Sequence, residues 1–112
     1  MEKIENILLK SKIIRTLQFK QKWLNNGFTQ VSNRLLRDIS VSIGARLLYI
    51  LLMSRCFRKQ FSYPGRDILM KELGIKSTKT FTLYKDELVN NDWILVKRRG
   101  QGKTNIYFLL KH

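Results

Sequence analysis

The chain has 112 residues, 44% of them hydrophobic, which suits one domain with a modest core and is too short for two. Its 22 Lys and Arg against 8 Asp and Glu leave a formal charge of +14, which points to a polyanionic partner, nucleic acid first and an anionic membrane surface second. One cysteine excludes an internal disulfide, and the longest apolar run, Leu47 to Met53, falls far short of the roughly 20 residues a bilayer-spanning helix needs.

Residues 2–24 contain no Gly or Pro and predict one long helix with apolar residues on two sides. Ile7, Ile14, Leu17 and Leu24 lie on one side; Ile4, Leu8, Phe19 and Trp23 lie on the other. Two sides need two neighbours. One is the domain's own core, and beyond it two readings stay open. The helix either wraps its own domain with part of it exposed, or meets a second copy of the chain. In the second case Ile7, Ile14, Leu17 and Leu24 are the dimer contacts, along a heptad-like seam interrupted by Lys10 and Gln21. The charges scattered through MEKIENILLKSK give no secretory signal, and a reducing cytoplasm suits the lone Cys56.

Asn25, Asn26 and Gly27 stop this helix and divide an amino-terminal segment, residues 1–27, from a domain at 28–112. Phe28 to Val31 is expected to be extended and Ser32 to Leu36 a short helical turn. Ser42 caps a helix with Val41, Ala45, Leu48, Tyr49, Leu52 and Cys56 on one face. Ile43, Leu47, Ile50 and Leu51 make the opposite face apolar too, so this helix is expected at the centre, with the first helix across its back. Phe61 to Tyr63 predicts a short edge strand. Pro64 and Gly65 start a helix that runs to about Leu73, burying Leu69, Leu73 and either Ile68 or Met70, and Gly74 ends it.

Ser77 caps the next helix, TKTFTLYKDELVN, whose period places Phe81, Tyr84 and Leu88 inward and Thr78, Lys79, Thr82 and Asp86 outward. Helix, turn and helix follow one another here. Asn90, Asn91 and Asp92 break the second. Trp93 to Arg98 and Thr104 to Leu110 then predict two strands around a five-residue loop, Arg99 to Lys103, with two glycines. The expected fold class is therefore mainly α with a small β-hairpin.

From Phe28 to Leu110 the order of segments is similar to the winged helix-turn-helix domains of plasmid and phage replication initiators and related small regulators. The segments are FTQVSNRLLRD, VSIGARLLYILL, DILMKELGIKSTKTFTLYKDELVNNDWI and VKRRGQGKTNIYFL, the last being the most specific. Met70 departs from the pattern, standing where a small residue is usual, and the turn between Gly74 and Phe81 is one residue longer. The resemblance implies a non-enzymatic module that binds double-stranded DNA, with the second helix in the major groove and the hairpin, the wing, along the backbone or in the minor groove. It assigns Ser77, Thr78, Lys79, Thr82 and Lys85 to the recognition helix and Lys97, Arg98, Arg99, Gln101 and Lys103 to the wing.

The residues suit those roles chemically. Lys79 can approach guanine acceptors, Thr78 and Thr82 can reach base edges or a thymine methyl, and Ser77 with the first helical amides can hold a phosphate. Each is equally at home on a solvated helix face. Residues 67–92 carry Lys71, Lys76, Lys79 and Lys85 against Asp67, Glu72, Asp86, Glu87 and Asp92, a local charge of −1, so the positive excess lies elsewhere. Residues 93–112 carry Lys97, Arg98, Arg99, Lys103 and Lys111 with no acid. Residues 6–37 carry Lys10, Lys12, Arg15, Lys20, Lys22, Arg34 and Arg37 with none either. Phosphate affinity is expected from these stretches and selection from the helix tip.

No enzyme constellation, cofactor motif or metal-ligand set is present in the sequence: His112 is terminal and the only histidine, and RGQGK lies between strands rather than before a helix. No small-molecule substrate or membrane is expected. Replication, partition and transcriptional control all use such modules. Two rival readings remain open. The apolar backs of the first two helices suit a protein-docking module, and Tyr63, Trp93 and Tyr107, if exposed, suit single-stranded nucleic acid.

Overall fold

Serine caps open the first two helices of the described residues. In the computed structural model, which describes residues 27–110, Ser32 Oγ accepts the Arg34 N–H at 3.1 Å and starts α1 (Asn33–Leu36). Ser42 Oγ accepts the Ala45 N–H at 3.3 Å and starts α2 (Ile43–Ser54). The expectations for residues 2–24, with Ile7, Ile14, Leu17 and Leu24, and for Lys111 and His112 lie outside the described residues.

The face of α2 that carries Ala45, Leu48, Tyr49 and Leu52 is buried, and Val41 and Cys56 complete it. Its other face is graded. Ile50 and Leu51 pack partly against the core, while Ile43 stays 80% exposed. Around α2 are arranged β1 (Phe61–Ser62), α3 (Arg66–Leu73), α4 (Thr78–Asn90), β2 (Ile94–Lys97) and β3 (Ile106–Leu109). The strands form one antiparallel sheet in the order β1-β3-β2, with Phe61 opposite Phe108 and Ile94 opposite Leu109. The described residues thus hold four helices and a three-stranded sheet, more β structure than a lone hairpin supplies.

Both α3 and α4 end in a left-handed residue with the paired backbone bonds of a Schellman turn. At α3 the residue is Gly74 (φ 73°), and the Ile75 N–H reaches Met70 O at 3.0 Å. At α4 it is Asp92 (φ 61°), and the Trp93 N–H reaches Leu88 O at 2.9 Å. Trp93 is therefore the end of a helix cap rather than the start of β2. Its ring is buried edge-on to Tyr49, and its indole N–H donates to Asp38 Oδ2 at 2.7 Å.

The α2–α4 contact has two parts. The Tyr84 ring lies where a Cβ on Gly44 would be, only 2.1 Å from its Cζ, so α4 comes this close because position 44 has no side chain. Glu87 Oε2 accepts the Ser42 hydroxyl at 2.7 Å and Oε1 accepts the Ser42 N–H at 3.2 Å, so a carboxylate from α4 completes the amino end of α2.

Two local expectations need correction, and one is narrowed. Pro64 precedes the helix, because Gly65 is an extended N-cap (ψ 149°) and helical residues begin at Arg66. Of the two alternatives beside Leu69, Met70 takes the buried place and Ile68 stays 52% exposed, as the either-or expectation allowed. The hairpin loop spans residues 98–105 rather than 99–103, because the ladder closes at Lys97 opposite Ile106.

Candidate nucleic-acid interface

The inward set on α4 is buried at Phe81 and Leu88 and half-buried at Tyr84, which leaves Thr78, Lys79, Thr82 and Asp86 exposed on the opposite side. Ser77 holds the amino end of the helix by accepting the Thr80 N–H at 3.3 Å. Lys85 differs from the others in being half-buried. Ser77, Lys79, Thr80, Thr82, Leu83 and Asp86 line one shallow depression. Leu83, 59% exposed, is an apolar member of this surface that the sequence reading passed over. Its signal was its place four residues after Lys79, which puts both on one side of a helix.

The acids of this region do not all face solvent. Glu72 pairs with Arg55 at 2.8 Å, and Glu87 is turned onto Ser42. Asp67, Asp86 and Asp92 are exposed, as is the paired Glu72, beside exposed Lys71, Lys76 and Lys79. The helix pair therefore presents a less acidic surface than its formal charge suggests. Two arginines are also committed to the fold: Arg55 in that pair, and Arg46, whose Nε and Nη1 donate to Val41 O at 3.0 Å and Leu36 O at 2.9 Å.

On the hairpin, Lys97, Arg98, Gln101 and Lys103 are exposed. The turn relies on left-handed Gly100 (φ 100°) and Gly102 (φ 75°). Arg99 is exposed too, but its guanidinium is occupied: Nε donates to Thr104 O at 2.8 Å, Nη2 donates to Thr104 Oγ1 at 2.9 Å, and the group lies 5.2 Å from the centre of the Tyr63 ring. Arg66, the first residue of α3, is exposed. Burial pushes the Tyr107 hydroxyl up, against the Asn105 hydrogen bond and the Arg66 charge.

Trp93 and Tyr107 are 1% and 2% exposed, so neither offers a ring face to a base. Tyr63 is 58% exposed but carries Arg99 on its ring. Cys56 is buried, its Sγ donates to Leu52 O at 3.3 Å, and burial raises its pKa. Among the described residues no three His, Cys, Asp or Glu side chains gather as a metal site, and no helix is long and apolar enough to cross a membrane.

No protein-family model matches the sequence, and a search of the curated proteins gives no match. Solved structures do resemble it. One, described as the structure of a Rep-DNA complex, superposes with a TM-score of 0.61 at 22% identity, covering 81% of this chain and 80% of that chain. Another, the N-terminal domain of a DNA binding protein, gives the same TM-score of 0.61 and 22% identity, covering 81% of this chain and 79% of that one. The likeness is one of fold, over most of both chains.

Proposed function

We propose that the chain is a winged-helix module that binds double-stranded DNA in a sequence-specific way and without catalysis. In this reading α3 and α4 form the helix-turn-helix, α4 enters the major groove, and the β2–β3 hairpin is the wing. The observation that carries it is the uncovered face of α4, with Thr78, Lys79 and Thr82 beside Leu83, in the same domain as a basic hairpin loop that holds no acid. The fold shared with a chain from a Rep-DNA complex supports it.

The division of labour follows from charge. Arg98 and Lys103 meet phosphates and supply affinity; Thr78, Lys79 and Thr82 meet base edges, with Leu83 placed for a thymine methyl. Control of a plasmid-type or phage-type element, by replication, partition or transcription, is the setting this reading favours. The amino-terminal segment, through Ile7, Ile14, Leu17 and Leu24, joins two copies on a repeated or palindromic site. Selection of bound duplexes from random DNA tests the reading. An enriched motif with two half-sites is expected, and recovery of unenriched sequence would reject sequence-specific binding.

A further inference from the structure

The loop from Arg98 to Thr104 contains two left-handed glycines, a composition that ordinarily leaves a hairpin tip mobile. Its feet are tied here by a network that no sequence motif announces. Thr104 is at its centre. The hydroxyl proton goes to Tyr63 O at 2.7 Å, while the same oxygen accepts Arg99 Nη2 at 2.9 Å. Arg99 Nε donates to the Thr104 carbonyl at 2.8 Å, which closes a two-point clasp across the loop from one leg to the other. The guanidinium carbon then lies over the Tyr63 ring, 5.2 Å from its centre, and the Thr104 methyl carbon lies 3.8 Å from where a Cβ on Gly65 would sit. The loop is thus fastened to the segment between β1 and α3, the segment from which the helix-turn-helix starts.

We propose that Tyr63, Arg99 and Thr104 are positioning residues that hold the hairpin loop in a fixed attitude to the helix-turn-helix, so that Arg98 and Lys103 meet the phosphate backbone already ordered. The inference rests on the DNA-binding reading and assigns Arg99 a different task from its basic neighbours. A phosphate contact needs charge at position 99, and lysine supplies it. A clasp needs the planar fork, which lysine lacks. Ordering the loop before binding removes an entropic cost that the free loop would otherwise meet on the duplex.

The two tasks separate in experiments that change no charge. Thr104→Val removes both hydroxyl bonds, and Arg99→Lys removes the fork and the stacking while keeping the cation. Both variants should bind duplex DNA about tenfold more weakly, the scale of immobilising one or two further side chains, with the slope of log affinity against log salt unchanged. In the free protein, backbone order at Gly100 to Lys103, read by amide nitrogen relaxation, should fall in both variants. Thermal melting serves as the control for global folding, and Arg99→Lys, altered only at an exposed side chain, covers the case in which Thr104→Val is poorly folded. Wild-type affinity and loop order in Arg99→Lys would overturn the clasp. So would a loop that loosens with no loss of affinity. If wild-type protein itself fails to bind any duplex, the DNA-binding reading falls, and loop order in the free variants still decides whether the clasp exists.

Discussion

Asp86 and Glu87 are adjacent acids on α4, and removing them should have opposite consequences. Asp86 is exposed on the outer face, whereas Glu87 is directed at Ser42 with contacts of 2.7 and 3.2 Å. A hydrogen bond to a charged group contributes about 1.5 to 3 kcal/mol, and a carboxylate at a helix amino end adds about 0.3 to 1 kcal/mol. Glu87 is only half-buried, and Ala is the better helix former, so the lower part of that range applies. Glu87→Ala should cost about 2 kcal/mol, lowering the melting temperature on the order of 10 °C for a domain of this size. Asp86→Ala should stay within about 0.5 kcal/mol of wild type. It should also tighten nonspecific duplex binding by removing an exposed negative charge from the outer face of α4. Urea unfolding at fixed pH and salt measures the stability difference. Equal stability in the two variants would mean that Glu87 does not complete the amino end of α2, and the account of how α4 is held would fail with it.

Leu88 is fully buried, and Leu88→Ala should cost about 2 to 5 kcal/mol in the same assay; an unchanged melting temperature would show that α4 is wrongly phased. Burial, with Cys56 beside it, pushes the Tyr49 hydroxyl up to about 12 from 10.0. The folded state therefore favours the neutral phenol. The stability this supplies is fully present below pH 10 and is lost as the pH climbs toward 12. The raised Cys56 thiol adds a loss that begins above its ordinary value of 9.0. Unfolding free energy should fall from pH 9 to 11.5, less steeply in Tyr49→Phe, and a flat profile would contradict the burial. For the amino-terminal segment, changing both Ile14 and Leu17 to Glu should weaken a homodimer, and a monomer mass for the wild type by light scattering at high concentration would reject the dimer.

Much of the architecture was legible because it is written in local chemistry. The serines at 42 and 77 each precede a helix they cap, Gly74 supplies the left-handed stop, and the spacing of Phe81 and Leu88 fixes the buried side of α4. Tertiary partners were less visible. The period turns Asp86 outward, but nothing local names Ser42, 45 positions away, as the partner of Glu87. Gly44 beneath Tyr84 is likewise set by what packs on it. In the candidate interface, the outward face of α4 followed from period alone, although Leu83 was assigned to neither face. Arg99 looked interchangeable with Arg98 and Lys103 until Thr104 and Tyr63 were found on its guanidinium. Counting charges along a chain cannot tell which are already engaged.

The central claim is that α4 selects the sequence while the hairpin supplies sequence-independent affinity. It is tested by titrating Lys79→Ala and Arg98→Ala against a selected duplex and its scrambled counterpart over a range of salt concentrations. Lys79→Ala should lose about 1 to 3 kcal/mol on the selected duplex and much less on the scrambled one. Arg98→Ala should lose the same affinity on both, and its slope of log affinity against log salt should fall by about one phosphate contact. Equal losses on both duplexes from both variants would contradict sequence reading by the helix, and no loss from either would contradict DNA binding through this face.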